Sequence, residues 1–426
     1  MTSPDFSLLS DEQISVIEAF ESGKNIFVTG GAGSGKSYLL NFLKQNYSKF
    51  GLAVAASTGV AALNIGGATI HSWAGIGLGN LPIEQIVENI LSPKAAKARR
   101  RIRQATALAI DEVSMISAEV LEIIDQVFRQ VRQNDKPMGG LQILFFGDFL
   151  QLPPVSRIGE NFNFCFDSEV WCELNLENFP LKKIFRQSDE KFVKILQNLR
   201  IGKIEANDVE ALESRIKAED KSAAIRPTIL TTHNAKVEKI NQVELQKIPR
   251  TQTSFDATYF GNPDKIEFLK RNCLAQNSLS LKIGAQVMMI KNTYQKEGII
   301  NGSLGIVRDF STKKIYPIVE FSNGKILTIS PEEWLAERFD EEKKVVIVDA
   351  GMNQIPLVLA WAMTIHKSQG LTLDKISCDL SDIFTPGQAY VALSRARSLE
   401  GVFIESINFK KITANMAAVN FYSKLS

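Results

Sequence analysis

Residues 25–37 read Asn25-Ile26-Phe27-Val28-Thr29-Gly30-Gly31-Ala32-Gly33-Ser34-Gly35-Lys36-Ser37, and Leu39, Leu40, Phe42 and Leu43 follow at the spacing of a helix face. A short apolar strand, a glycine-rich turn ending in Gly-Lys-Ser, and a helix together make a P-loop, the mark of an α/β nucleotide-binding fold. Glycines let backbone N–H groups curl around a phosphate, and the helix N-terminus adds its positive dipole end. Lys36 is placed to reach the β- and γ-phosphates of ATP, and the Ser37 hydroxyl to ligate Mg2+. Gly31, Ala32, Gly33, Ser34, Gly35 and Tyr38 complete the local set of candidate ATP contacts.

A P-loop needs a second acid for the metal. Ala107–Ile110 is an apolar run ending in Asp111-Glu112. Asp111 suits the Mg2+ role, and Glu112 suits the base that deprotonates an attacking water. An acidic pair after a strand is weak alone, since a solvated loop would look the same. With the P-loop upstream, it favours an ATP hydrolase over a small-molecule kinase, which needs no hydrolytic base. Gln142–Phe146 is a further strand, followed by GDFLQLPP (Gly147–Pro154). Gln151 at that strand's exit is a candidate γ-phosphate sensor. A second P-loop is missing from the rest of the chain, which instead carries Phe185-Arg186-Gln187 and ALSRAR (Ala392–Arg397). Each arginine alone would be read as a surface or structural residue. Opposite a P-loop, Arg186 and Arg395 become candidates for stabilising charge on a transferring phosphoryl group.

Apolar runs followed by helical patterns recur along the chain, as expected of βα units on parallel sheets. They fall at Asn25–Thr29, Leu52–Ala56, Ala107–Ile110 and Gln142–Phe146 in the first half, and at Thr228–Thr231, Leu357–Ala360, Ile376–Asp379 and Gly401–Ile404 in the second. The expectation is two α/β lobes. Residues 249–355 interrupt the second with short strands and no intervening helix: Ala285–Ile290, Leu304–Arg308, Pro317–Phe321, Lys325–Ile329 and Val345–Val348. Asn301-Gly302 and Ser322-Asn323-Gly324 read as hairpin turns, Asn-Gly suiting type I′. A small barrel inserted into the second lobe is expected.

Several longer stretches resemble the Pif-one family of helicases, in superfamily one, class B, beside the RecD-like enzymes. They are FRQVRQNDKPMGG (Phe128–Gly140) leading into GDFLQLPPV, STGVAALNIGGATIHSW (Ser57–Trp73), LTTHNAKVEKIN (Leu230–Asn241), MTIHKSQG (Met363–Gly370) and GQAYVALSRAR (Gly387–Arg397). Leu9-Ser10-Asp11-Glu12-Gln13 matches the opening motif, whose glutamine reads adenine. The resemblance runs in order over nearly the whole chain. It implies two RecA-like lobes: 1–62 with 84–166 as lobe 1A, and 167–248 with 356–426 as lobe 2A. It further implies a wedge, 1B, at 63–83 and an SH3-like domain, 2B, at 249–355. Implied activities are ATP-driven 5′-to-3′ movement on single-stranded DNA and unwinding of duplex and G-quadruplex junctions. The site residues implied are Gln13 for adenine, the P-loop for the phosphates, Ser37 and Asp111 for Mg2+, Glu112 and Gln151 for hydrolysis, and Arg186 and Arg395 as arginine fingers, with Gly370 beside them.

The nucleic-acid track expected on this basis takes in Thr58, Gly59, Asn64, Thr69, His71, Trp73 and Phe149 in the first lobe. In the second it takes in Thr364, His366, Lys367 and Ser368, with Lys291 and Asn292 in the insertion. Thr69, His71 and Trp73 alternate as on an extended piece that offers donors and a stacking face. The basic run Lys94–Arg103 is tempting as a DNA patch, although such runs are usually solvated helix faces.

Composition neither suggests nor opposes this. With 49 Lys+Arg against 47 Asp+Glu the formal charge is +2, so any nucleic-acid site is a local channel rather than a global field. The four cysteines form no CxxC pair, which fits a reducing compartment without zinc. No signal-peptide pattern opens the chain, and Leu357–Met363 is too short to span a bilayer. A cytoplasmic bacterial or viral core enzyme is expected, a monomer able to dimerise on DNA. Competing readings are a P-loop transferase, an RNA translocase, and an ATP switch whose barrel docks a protein.

Overall fold

The computed structural model describes residues 6–77, 81–154, 162–218, 225–312, 315–340 and 345–425. They form two compact units, one of Met1–Lys183, Ala336–Asp349 and Tyr422–Ser426, the other of Ile184–Leu335 and Ala350–Phe421. Ala336–Asp349, expected in the insertion, therefore groups with the first unit.

The first unit is built on six parallel strands: β1 (Ile26–Thr29), β2 (Leu52–Ala56), β3 (Ala68–Thr69), β4 (Ala107–Asp111), β5 (Gln142–Gly147) and β6 (Glu177–Pro180). Their order is β3-β2-β4-β5-β1-β6, every neighbouring pair parallel. Strands covered on both faces read as continuous apolar runs rather than alternating ones, and β1 and β4 are buried throughout. Helix Ala118–Arg132 covers the sheet with Leu121, Ile124, Val127, Phe128 and Val131, and its N-cap Ser117 accepts from the Val120 N–H. Register places Thr29 of β1 beside Gly147 of β5, and Ala56 of β2 beside Asp111 of β4. All four mark carboxyl ends, the edge where ligands bind in such sheets.

The second unit has its own parallel sheet, in the order Ala362–Thr364, Thr228–Thr231, Ile376–Leu380, Val402–Ile407. Two RecA-like lobes are thus present. One expected strand is corrected: Leu357–Leu359 pairs antiparallel with Gln286–Met289 in the insertion, and Ala362–Thr364 takes the parallel place. Two apolar pieces separated by Ala360-Trp361 look like one run in sequence, and only pairing partners divide them.

The insertion is a five-stranded antiparallel sheet in the order Ile326–Thr328, Pro317–Phe321, Leu304–Phe310, Gln286–Met289, Leu357–Leu359. Val287, Met289, Val307, Val319, Ile329 and Leu357 fill its core. It is not free of helix, since Pro263–Asn272 is helical, capped by the Asn262 side chain. Val345–Gln354 lies in a separate three-stranded sheet with Glu332–Asp340 and Thr258–Gly261.

Ser322-Asn323-Gly324 joins the antiparallel strands Pro317–Phe321 and Ile326–Thr328 as a hairpin, as expected, but neither site is a type I′ turn. Asn301-Gly302 sits in a long connection rather than a two-residue turn. Neither Asn301 nor Asn323 has the positive φ that type I′ requires, while Gly302 and Gly324 do. At the second turn Gly324 N–H donates to Phe321 O and Phe321 N–H to Lys325 O, a three-residue loop with glycine in the left-handed position. Of the expected wedge 63–83, residues 78–80 lie outside the described residues. The rest contributes β3, the short helix Ile70–Ala74 and the start of Ile83–Leu91. Among the described residues no helix is long and apolar enough to cross a membrane.

Candidate nucleotide site and nucleic-acid interface

Leaving β1, the chain needs backbone that side chains resist: Gly33 and Gly35 have φ of 82° and 88°. A Cβ on Gly30 would lie 2.6 Å from Leu181 O and 2.7 Å from Ser34 Oγ, so this close approach is open only to glycine. Helix Lys36–Tyr47 starts without a side-chain cap, and its first N–H groups suit an anion. Lys36 Nζ donates to Gly30 O (2.6 Å) and Gly31 O (3.1 Å), folding over the loop that phosphates would fill. Ser34 Oγ is buried with no hydrogen-bond partner among the described residues, and a phosphate oxygen would supply one. Ser37 and Tyr38 are exposed at the helix start.

Gln13 belongs to helix Asp11–Glu21, in a capping box with Ser10. It is buried, and its Nε2 donates to Gly35 O at 3.3 Å, which ties this helix to the loop.

Asp111 is buried at the end of β4. Burial first, then the charge of Glu112, pushes its carboxyl up to about 7, while the Glu112 N–H on Oδ1 (2.9 Å) and the charge of Lys36 pull the other way. A divalent cation would remove the cost of ionising it, so Asp111 and Ser37 fit the Mg2+ role. Glu112 has φ 52° and ψ 45°, a left-handed conformation uncommon for a non-glycine residue and concentrated at functional sites. Ser57, the first residue of the Ser57–Trp73 motif, holds this turn from just past β2. Its N–H donates to Asp111 O (3.1 Å) and its hydroxyl to Glu112 O (2.8 Å). Gln151 N–H donates to Asp148 O (3.0 Å), and its Nε2 to Asp148 Oδ2 (3.2 Å). Asp148 is fully buried; its spacing of three from Gln151 across a turn was the available signal.

Arg186 and Arg395 meet within the second unit. Arg186 donates to Ser394 O (3.1 Å) and Gly370 O (3.4 Å). Arg395 is buried and donates to Val391 O (2.9 Å), Ser368 O (3.3 Å) and Ser394 Oγ (2.8 Å). Burial, then the charge of Arg395, presses the Arg186 guanidinium below its usual range.

The nucleic-acid candidates divide. Thr58 caps helix Gly59–Asn64, its Oγ1 accepting from Ala61 N–H (3.2 Å), and Asn64 is exposed. Thr69 ends β3, but Ile70 to Trp73 is helical rather than extended. Thr69 caps helix Ile70–Ala74 by accepting from Ser72 N–H. His71 is half-buried, which keeps its imidazole below its usual range. Trp73 is 7% exposed and edge-on to Phe128 at 5.6 Å, so it is no stacking platform for a base. Phe149 is fully buried against Phe27, Phe164, Phe166 and Trp171; it is core, not interface.

In the second unit His366 and Lys367 are exposed. Thr364 is nearly buried, its Oγ1 accepting from Lys367 N–H (3.2 Å). Ser368 is fully buried and donates to Ile365 O (2.7 Å), so its hydroxyl holds the turn instead of a phosphate. Lys291 Nζ lies 4.8 Å from the Trp334 ring centroid and donates to Glu333 O. Asn292 Oδ1 accepts from Asn301 N–H (2.8 Å). Three of the six basic residues in the run hold carbonyls of other elements: Arg99 donates to Ile90 O and Ser92 O, Arg101 to Trp73 O and Ser72 O, and Arg103 to Val131 O; Lys94, Lys97 and Arg100 are exposed.

Comparison with known proteins bears on the same segments. A family model described as PIF1-like helicase matches residues 8–210, and one described as DNA helicase Pif1, 2B domain, matches 266–310. The ATP-dependent DNA helicase PIF1 of Danio rerio is 38% identical over 419 residues, covering 98% of this chain. The chain spans 64% of that relative's length. The crystal structure of Bacteroides sp Pif1 in complex with ADP-AlF4 matches with a TM-score of 0.86 and 33% identity, over 98% of this chain and 97% of that one. Bacteroides Pif1 bound to ssDNA matches with a TM-score of 0.66 at the same identity and the same coverage.

Proposed function

This chain belongs to the PIF1-like helicase family, the Pif-one family of the sequence resemblance, and on that footing we propose that it is an ATP-driven DNA helicase. The observation that carries the proposal is the convergence of Lys36, Asp111, Glu112 and Gln151 at the carboxyl edge of one parallel sheet. Gln13 takes the adenine. The P-loop N–H groups and Lys36 take the phosphates; Ser37 with Asp111 would hold Mg2+, which would supply neutralisation of the phosphate charge. Glu112 takes the proton of the attacking water, and Gln151 reads the γ-phosphate. Arg186 and Arg395 stabilise the developing charge. For that role both guanidinium groups exchange their present carbonyl partners for phosphate oxygens.

The substrate we propose is single-stranded DNA leading into duplex or G-quadruplex junctions, followed 5′ to 3′ in replication or repair. A related protein is bound to ssDNA in its crystal structure, which supports the substrate class; polarity and G-quadruplex action rest on the family resemblance. On this chain Thr58, Gly59, Asn64, Thr69 and His71 form the track of the first unit, and Thr364, His366 and Lys367 that of the second. Lys291 and Asn292 are additional backbone contacts.

The test is ATP-dependent unwinding of two partial duplexes, one with a 5′ and one with a 3′ single-stranded tail. Opening of the 5′-tailed duplex alone is expected, abolished in Lys36→Ala. Failure to open either, with ATP turnover still stimulated by DNA, would leave a translocase; stimulation by RNA alone would move the substrate. No response to any nucleic acid would leave an ATP switch and overturn the proposal.

A further inference from the structure

One half-buried tyrosine at the hydrolysis site comes from far along the chain. Tyr422 lies in helix Met416–Leu425, in the stretch Tyr422–Ser426 that groups with the P-loop unit. Its hydroxyl is 2.6 Å from Thr29 Oγ1, accepts from Phe149 N–H at 3.1 Å and donates to Asp148 Oδ1 at 3.4 Å. An ionised Asp148 sets the direction of the protons. A backbone N–H only donates and a carboxylate only accepts, so Tyr422 gives its proton to Asp148 and Thr29 gives its own to Tyr422. Asp148 Oδ2 in turn accepts from Gln151 Nε2. Thr29, Tyr422, Asp148 and Gln151 form one chain of hydrogen bonds, with Thr29 2% and Asp148 0% exposed.

Thr29 and Gly147 are register partners at the ends of β1 and β5. The next residue on one strand is the first P-loop glycine, and on the other it is Asp148. Sheet pairing stops there, and Tyr422 continues the connection past it. We propose that Tyr422 is a positioning residue for ATP hydrolysis, fixing the Asp148–Gln151 turn relative to the P-loop so that the Gln151 amide meets the γ-phosphate in one orientation. This deepens the ATPase reading above and rests on it. Buried networks of this kind hold a reacting geometry when every member is satisfied. Without the hydroxyl, the Phe149 N–H and one Asp148 oxygen each lose a partner in a region with little water, and the turn relaxes.

The test is Tyr422→Phe, which keeps the ring and its place 6.5 Å from Phe149. Expected is a fall of about tenfold or more in the kcat of ssDNA-stimulated ATP hydrolysis, the scale at which small misplacements register. KM, ADP affinity and ssDNA affinity stay unchanged, and binding of ADP with aluminium fluoride weakens by the factor lost in kcat. Unchanged kcat would overturn the proposal, as would a parallel fall of ADP affinity, KM and Tm, which marks a merely structural role. Hydrogen exchange at the Phe149 amide reads the bond independently of turnover and should accelerate in the variant. If the wild-type protein hydrolysed no ATP, the functional reading would fall. Undiminished protection of that amide in the variant would separately overturn the Tyr422 assignment.

Discussion

Arg101→Met separates a structural basic run from a DNA-binding one. Arg101 Nε donates to Trp73 O at 2.5 Å and its NH2 to Ser72 O, carbonyls at the end of helix Ile70–Ala74. Hydrogen bonds from a charged donor contribute about 1.5–3 kcal/mol each. Burial of the guanidinium, which lowers its pKa to about 10, takes part of that back. Methionine keeps the apolar stem packed, so the net loss is about 2 kcal/mol. For a unit of this size that is a drop of about 4–8 °C in Tm. The control Lys97→Met, on an exposed side chain of the same helix, should stay within about 0.5 kcal/mol. DNA binding is then measured against salt. A lost phosphate contact would reduce the slope of log K against log salt by about 0.7 for a single strand; Arg101→Met should leave the slope unchanged. An unaltered Tm with a slope reduced by that amount would refute the structural assignment and restore the run as a DNA contact.

Gln13→Ala should raise KM for ATP by about tenfold, the equivalent of roughly one hydrogen bond to the base, and leave KM for GTP nearly unchanged; equal effects on both nucleotides would mean Gln13 serves only the loop through Gly35. Ser57→Ala removes the donor on Glu112 O and should cut the ssDNA-stimulated rate by about fivefold, one buried hydrogen bond, with less change in the unstimulated rate; steady-state ATPase with and without DNA checks it. The Mg2+ requirement should depend on pH in one direction. Asp111 is pushed up to about 7, so below that pH it holds a proton that Mg2+ must displace, and the half-saturating Mg2+ should rise about tenfold per pH unit. A requirement flat between pH 5.5 and 8 would contradict the assignment, as would an unchanged profile in Asp111→Asn.

How legible these features were in sequence depended on how local their causes are. The P-loop needs only its own glycines, a strand before and a helix after, and all three are contiguous. Asp111-Glu112 was readable for the same reason: β4 is buried on both faces and ends at the acids. Thr69, His71 and Trp73 misled because alternation also fits a capped helical turn, and Thr69 is a capping residue. Trp73 and Phe149 carry no local sign of burial; distant aromatic partners decide it. Arg99, Arg101 and Arg103 of the basic run looked solvated because their carbonyl partners come from other elements. Tyr422 had no signal at all, its partners being residues 29, 148 and 149.

The same distinction bears on how nucleic acid could reach the hydrolysis site. Within the first unit, Thr58 and Gly59 follow directly on Ser57, and Ser57 holds Asp111 and Glu112 through main-chain carbonyls. Those bonds lead to the backbone of the acids rather than to their carboxyl groups, so a shift at Thr58 would move the turn as a whole. Glu112 sits there at φ 52°, a conformation that costs of order 1–3 kcal/mol and persists only while its surroundings impose it. Ser57 is one of those surroundings. A phosphate drawing on Thr58 would therefore act on a turn already held away from its relaxed state. Small displacements at the track would become changes in where the Glu112 carboxylate points, without any side chain spanning the distance between the two ligands.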